Sequence, residues 1–330
     1  MSAPVATEAP STRAPAGSAA MERVKDLSFW AEWASLVGLV LLVVVFQSLS
    51  PTFLSPGNVE AMLVSAAILI VLTIGQTFVI TTGGIDLSVA STMTFAAVCF
   101  GLTYVQTGQL WLAVTVALAA GAAIGVVNGL IVAKGRITDF IATLGTLSVA
   151  SGLALILSNG KPITVIDPVL LKLSSGGIGI FGYSFIVAVI VAVIAHFVYF
   201  RTRFGTHVLA TGGSVEAAAA TGVRTMRVKM AVYIIAGTLA GLAAILLVSR
   251  VGAAAPAANT SFLLNSVAAV VLGGVSLVGG RGSIIGPVLG ALLLTALTNG
   301  LTLVGVSEFY QPLSVGIVVV LAALMSRFQK

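Results

Sequence analysis

Residues 61–80 read AMLVSAAILIVLTIGQTFVI, a stretch without a single charge. As an α-helix it is long enough to cross the roughly 30 Å hydrocarbon core of a bilayer. Working outward, runs of near-spanning length recur at 33–50, 60–80, 87–105, 110–133, 138–158, 182–200, 229–249, 262–278, 284–304 and 309–326. The pattern predicts an all-α polytopic membrane protein of about ten transmembrane helices. Composition agrees: 58% of the 330 residues are hydrophobic and 8% charged, with a mean hydropathy of +1.14. A soluble domain carries roughly 25% charged residues, so this chain cannot solvate an ordinary globular surface. Several runs contain Gly or Pro, which neighbouring helices tolerate by satisfying the freed backbone groups.

Loop charge orients the bundle, because cytoplasmic loops hold the excess of Lys and Arg. With the N-terminus inside, thirteen basic residues fall on the inner side and only Lys161, Lys172 and Arg250 on the outer. Both termini are therefore expected in the cytoplasm, with residues 1–32 a disordered cytoplasmic tail and 327–330 a short cytoplasmic C-terminus. The Ala-, Pro-, Ser- and Thr-rich start of that tail cannot bury enough apolar surface to order itself. The first run is followed by Gln47-Ser48-Leu49-Ser50-Pro51 without a small-x-small cleavage site, so it reads as an uncleaved first span rather than a signal peptide. The basic residues lie singly between apolar runs and form no patch for nucleic acid. Cys99 is the single cysteine, which excludes an intrachain disulfide and a Cys-based metal site. His196 and His207 show no metal-ligand spacing, and no metal is expected.

Two loops are long enough for structure of their own. The outer one, residues 159–181, carries the breakers Lys161-Pro162, Asp167-Pro168 and Ser174-Ser175-Gly176-Gly177, and is either a docking surface for an extracytoplasmic partner or a plain connector. The inner one spans 201–228. There Ser214 can cap a short helix over Val215-Glu216-Ala217-Ala218-Ala219-Ala220, with Thr221 next and Gly222 suited to the left-handed position beyond its end. Such a helix has no core of its own and offers a flat face to another protein.

Polar residues inside the apolar runs are costly and need partners. Asp86 reads either as a cap on the span that follows or as part of a gate. Gln76, Asn128 and Asn299 read first as ties between helices and second as groups lining a substrate path. Asn128-Gly129-Leu130 recurs as Asn299-Gly300-Leu301, and Gly83-Gly84-Ile85 as Gly273-Gly274-Val275, which hints at an inverted repeat of spans two to five and seven to ten.

Longer motifs connect the chain to a known group. Arg203-Phe204-Gly205, Ala210-Thr211-Gly212-Gly213, Glu216-Ala217-Ala218, Thr221-Gly222-Val223 and Arg227-Val228-Lys229 resemble the cytoplasmic coupling segment of sugar ABC-importer permeases, the membrane subunits of bacterial ribose, xylose, arabinose and galactose importers. Gly83-Gly84-Ile85-Asp86-Leu87-Ser88-Val89, Asn128-Gly129-Leu130-Ile131-Val132 and Leu272-Gly273-Gly274-Val275-Ser276-Leu277 with Gly279-Gly280-Arg281-Gly282-Ser283 look like further motifs of that family. The resemblance runs from about residue 30 to the C-terminus. It departs at Ser214, where the family more often has Asn, and at Thr221, where it more often has Ser; both keep a short polar side chain able to bond backbone.

The resemblance implies a multi-pass bacterial inner-membrane permease, not an enzyme, that translocates a monosaccharide or related polyol by alternating access. It also implies a second copy of the permease, an extracytoplasmic sugar-binding protein and a cytoplasmic ATPase that docks on Ser214, Val215, Glu216, Ala217, Ala218, Thr221 and Gly222. The chain itself holds no G-x-x-x-x-G-K-[ST] phosphate loop, so ATP and Mg²⁺ belong to that partner and no cofactor is expected here. A stand-alone facilitator or ion-coupled carrier is the competing reading. Ion coupling would call for mid-span carboxylates, and Glu60 and Asp139 sit at span edges.

Overall fold

The computed structural model describes residues 27–257 and 260–326. Most of the expected tail (1–26) and the C-terminal 327–330 lie outside the described residues. The long helices are α1 (Leu27–Leu49), α2 (Pro56–Thr81), α3 (Val89–Thr107), α4 (Leu110–Ala133) and α5 (Asp139–Ser158). After the loop 159–181 come α7 (Tyr183–Arg201), α10 (Thr225–Val251), α11 (Thr260–Leu272), α12 (Ile285–Leu303) and α13 (Gln311–Ser326). Three short helices, α6 (Pro168–Ser175), α8 (Arg203–Gly213) and α9 (Val215–Ala220), lie in the two long loops. Seven of the described helices (α2, α3, α4, α5, α7, α10 and α12) are long and apolar enough to cross a membrane, while Ser35–Leu49, Thr260–Leu272 and Glu308–Val320 are shorter apolar stretches.

Two boundaries differ from the sequence reading by more than four residues. Helix α1 starts at Leu27, before the expected 33, so residues 27–32 are helical rather than tail. The span expected over 262–278 ends at Leu272: Gly274 takes φ +76° and its amide bonds the Val271 carbonyl at 2.9 Å. Leu277 and Val278 are apolar enough to extend a hydropathy window, but the glycine pair stops the helix first.

The core forms around α2 and α10. Helix α2 is buried along nearly its whole apolar length, from Leu63 to Thr81, as an all-round apolar helix inside a bundle should be. It packs against α7, α10, α11 and α12. Helix α10 meets α4 along a glycine seam: a methyl group at Gly121 would overlap the Gly237 carbonyl, one at Gly125 the Tyr233 carbonyl, and one at Gly241 the Ala117 carbonyl. The missing side chains let the two backbones touch, the small-residue device of membrane helix pairs. By contrast α5 and α7 show bare apolar faces, with Ile141, Ile156, Ile190 and Val193 all more than half exposed. Faces of that extent suit lipid or other chains rather than water.

The loop 159–181 is ordered. Ile163 and Thr164 (β1) pair antiparallel with Ala254 and Ala253 (β4), and Gly177–Ile178 (β2) pair with Phe181–Gly182 (β3). Asp167 caps α6 by accepting the Val169 amide at 2.8 Å, and the Tyr104 hydroxyl donates to its other carboxylate oxygen at 2.9 Å. Leu170 is buried beneath the helix. The Asp-Pro pair at 167–168 is a helix-start signal that the sequence reading took only as a breaker.

Candidate functional site

At the end of the bundle that carries the 201–228 loop, the chain leaves α7 and turns into α8, where Thr202 caps the helix by accepting the Gly205 amide. Ser214 ends α8 and begins α9. Its hydroxyl accepts the Ala217 amide at 3.1 Å and lies 3.2 Å from a Glu216 carboxylate oxygen, to which it donates. Gly222 adopts φ +87°, and the Gly222 and Val223 amides return to the Ala219 and Ala218 carbonyls at 3.0 Å each. The helix expected from the sequence thus forms, capped by the residues named for it. Val215, Glu216, Ala217, Thr221 and Gly222 are exposed, whereas Ala218 is buried. Ala218 seats the helix on its own protein, and the remaining residues face outward.

Helix α8 rests on two turns far away in sequence. The α2–α3 turn (82–88) and the α11–α12 turn (273–284) meet each other and the end of α8 at one point. The Gly280 amide donates to the Thr81 carbonyl at 2.9 Å. Gly212 lies so close to that carbonyl and to the Gly280 amide that a methyl group has no room. The Tyr199 hydroxyl, buried at the end of α7, is 3.2 Å from Thr81 Oγ1. This convergence was not foreseen, since glycines carry no pattern that names their partners.

A chain of buried polar groups runs from the same turn into the bundle. The Asp86 carboxylate accepts the Ser88 amide at 2.8 Å and the Ser88 hydroxyl at 2.6 Å. The Asn128 amide donates to Ser88 Oγ at 2.8 Å, and its carbonyl oxygen accepts the Thr146 hydroxyl at 2.6 Å, so one path joins α3, α4 and α5. The Gln76 amide donates to the Asp86 backbone carbonyl at 2.5 Å. Of the two readings of Asp86, the cap is met only indirectly: Ser88 holds the N-cap position of α3, and Asp86, two residues earlier, fixes Ser88. Burial pushes the Asp86 carboxyl up from the usual carboxylate range, against the Ser88 hydroxyl and amide, which draw it down, while Asp139 nearby adds to the rise.

Asn299 lies at the opposite end of the bundle. Its amide and that of Asn58, in the first turn of α2, bond each other in both directions at 2.9 and 3.0 Å. The two amides of Asn128 and Asn299 therefore bond protein groups, in line with the tie between helices that was read first. Among the described residues, Gln76 Oε1 and the neighbouring Thr73 Oγ1 are buried without a hydrogen-bond partner.

Beside the α2–α3 turn an open cleft of about 500 Å³ is lined by Gly83, Ile85, Arg136, Asp139, Phe140 and Lys229, among others. Lys229 Nζ stands 3.8 Å from Asp139 Oδ2 across it. None of Gln76, Asp86, Asn128 and Asn299 lines this cleft. No three His, Cys, Asp or Glu side chains gather into a metal-binding group among the described residues.

Comparison with known proteins gives the same direction. Residues 58–324 match the family described as branched-chain amino acid transport system / permease component. The ribose import permease protein RbsC of Bacillus subtilis is 39% identical over 299 residues, 88% of this chain and 91% of the relative. The protein of that name from Escherichia coli K12 is 39% identical over 303 residues, 89% and 93% of the two chains. The L-arabinose ABC transporter permease protein AraH of Azospirillum brasilense is 34% identical over 297 residues, 89% and 88%. No solved structure matches the chain.

Proposed function

The chain belongs to the permease components of ABC import systems, among the sugar import permeases, and we propose that it forms the path by which a monosaccharide crosses the bacterial inner membrane by alternating access. ATP and Mg²⁺ are held by a separate cytoplasmic ATPase, whose closure biases which side the path faces. The permease breaks no covalent bond; it supplies polar groups that replace water around a neutral solute. Two copies of the chain stand in lipid, each with ten spans, both termini in the cytoplasm and spans two to five and seven to ten related by inversion. A sugar-binding protein docks on the outer side, with the ordered loop 159–181 as its first candidate contact. Ribose is the substrate to test first, because relatives at 39% identity are named ribose import permeases; other pentoses, hexoses and polyols follow.

The observation that supports this reading most is α9: a capped single-turn helix with one buried residue, Ala218, and an otherwise exposed face at the end rich in Arg and Lys. A helix of six residues is unstable by itself and gains its order from what it touches. The ATPase docks on Val215, Glu216 and Ala217, with Ser214, Thr221 and Gly222 holding the helix ends.

Glu216→Trp and Ala217→Trp test this. Each should cut co-purification with the ATPase and ATP-driven uptake of D-ribose into proteoliposomes by about tenfold or more, the loss of roughly 1.4 kcal/mol of docking energy. Unchanged association and uptake in both variants, or ATP-independent uptake by this chain alone, would count against the importer reading.

A further inference from the structure

The docking helix α9 is separated from the meeting point of the two glycine turns by only Gly213 and Ser214. At that point three backbones touch with no side chain between them: Thr81–Gly83 at the end of α2, Val278–Gly280 ahead of α12, and Gly212 in the last turn of α8. Gly279 lies against the Gly83 amide and the Gly212 carbonyl, Gly280 against Gly213, and Gly83 against the Val278 carbonyl. The Gly280 amide to Thr81 carbonyl bond closes the contact. Backbone has few soft degrees of freedom, so a shift of α8 cannot be absorbed here by side-chain rotation, as it can at an ordinary packed face. Beyond the contact, each turn leads into the bundle. The first carries the Asp86–Ser88–Asn128–Thr146 chain across α3, α4 and α5. The second starts α12, where Ser283 Oγ accepts the Gly286 amide at 3.1 Å.

We propose that Gly212 is a positioning residue of the transport cycle: its backbone transmits the movement of α9 simultaneously to the α2–α3 and α11–α12 turns, and the absence of a side chain there is what makes the transmission rigid. The inference rests on the importer reading and adds to it the place where one docking helix engages both parts of the bundle. Gly213, next in the chain, supplies an internal control, because a methyl group on it meets nothing within 4 Å.

The test uses the full transporter, this chain with its ATPase and binding protein in proteoliposomes, with radiolabelled D-ribose as probe. Gly212→Ala should keep ATPase association within twofold of the parent while sugar transported per ATP hydrolysed falls at least tenfold; Gly213→Ala should stay within twofold on both measures. Coupling by Gly212→Ala within twofold of the parent overturns the proposal. Should Gly212→Ala not assemble, hydrogen exchange on the parent complex decides. The amides of residues 276–284, Gly280 among them, should change exchange rate at least threefold between the nucleotide-free and ATP-trapped states, and no change there while α9 responds overturns the proposal. A parent complex without ATP-driven uptake overturns the importer reading instead, and a parent complex that transports normally separates the two.

Discussion

Replacing Asn128 by Ala separates a structural amide from one that touches substrate. Asn128 is fully buried and bonded at both ends of its side chain, to Ser88 Oγ and Thr146 Oγ1. Truncation removes both bonds, but the losses are not equal. The Thr146 hydroxyl keeps the Thr143 and Ala142 carbonyls at 3.1 and 3.3 Å as fallback acceptors, whereas Ser88 Oγ loses its only side-chain donor in that chain apart from Thr92, at a long 3.5 Å. At about 0.6–1 kcal/mol per interhelical bond the polar loss is about 1–2 kcal/mol. The void adds about 1 kcal/mol. A total of about 2–3 kcal/mol corresponds to a fall in melting temperature on the order of 5 °C. Thermal unfolding of the purified chain in detergent, followed by circular dichroism, reads this directly, and uptake of D-ribose by the assembled transporter reads the alternative. If Asn128→Ala melts with the parent yet abolishes uptake, the amide serves the solute and the reasoning from its bonds is wrong.

Gly125→Ala forces a methyl into the Tyr233 carbonyl across the α4–α10 seam and should cost about 3 kcal/mol, the upper part of the overpacking range, since backbone cannot step aside. Gly145→Ala, on α5 with nothing within 4 Å, should be neutral or stabilising by up to about 1 kcal/mol; equal melting points for the two variants would contradict the seam. Asp86→Asn keeps an acceptor for the Ser88 amide and removes a charge whose burial raises its folded-state pKa. A raised carboxyl pKa means that the folded state binds the proton more tightly, so stability declines as pH climbs through and beyond the ordinary carboxylate range. The variant should therefore melt above the parent at about pH 8 and lose that advantage near about pH 4, and an advantage that grows on acidification would reverse the sign. In a cycle of Asn58→Ala, Asn299→Ala and the double variant, melting should reveal a coupling of about 0.6–1.7 kcal/mol from their reciprocal bonds; strict additivity would refute the pair.

Apolar runs and capping residues were legible in the sequence, and long-range partners were not. Residues 110–133 are one run without a charge, and α4 occupies them; Ser214 and Gly222 act within a few residues of themselves, so their roles follow from local chemistry. Asn128 and Asn299 announced that they needed partners, but nothing local names Ser88 for the first or Asn58, 241 positions away, for the second. The small-residue spacing of Gly121 and Gly125 is visible in sequence, yet it does not say that Gly237, Gly241 and Tyr233 supply the opposite wall. The pairing of Ile163 with Ala254 has no signal at all, because two-residue strands carry no periodicity. The family resemblance groups Ala218 with the docking residues; which face of a six-residue helix points inward depends on α8 and α10, and those decide that Ala218 is the buried one.

The two recurring motifs carry different weight for the proposed inversion. Asn128-Gly129 lies at the end of α4 beside Ser88, the end of the bundle where α2 finishes; Asn299-Gly300 lies at the end of α12 beside Asn58, where α2 begins. Opposite ends are what an inverted pair of halves requires of spans four and nine. The Gly-Gly turns sit at the same end and touch each other, which inversion forbids. Their likeness has a simpler source in helix termination. The Gly83 and Gly84 amides bond the Ile80 and Val79 carbonyls, and the Gly274 and Val275 amides bond Val271 and Val270 in the same pattern, with Gly83 and Gly274 both at φ +76°. The structural match is Gly83 with Gly274, one residue out of register with the sequence match, because the left-handed position after each helix is what selects the glycine. The proposed inversion therefore has the Asn-Gly-Leu pair as its sequence support, and the Gly-Gly turns are two helix stops brought together where α8 rests on them.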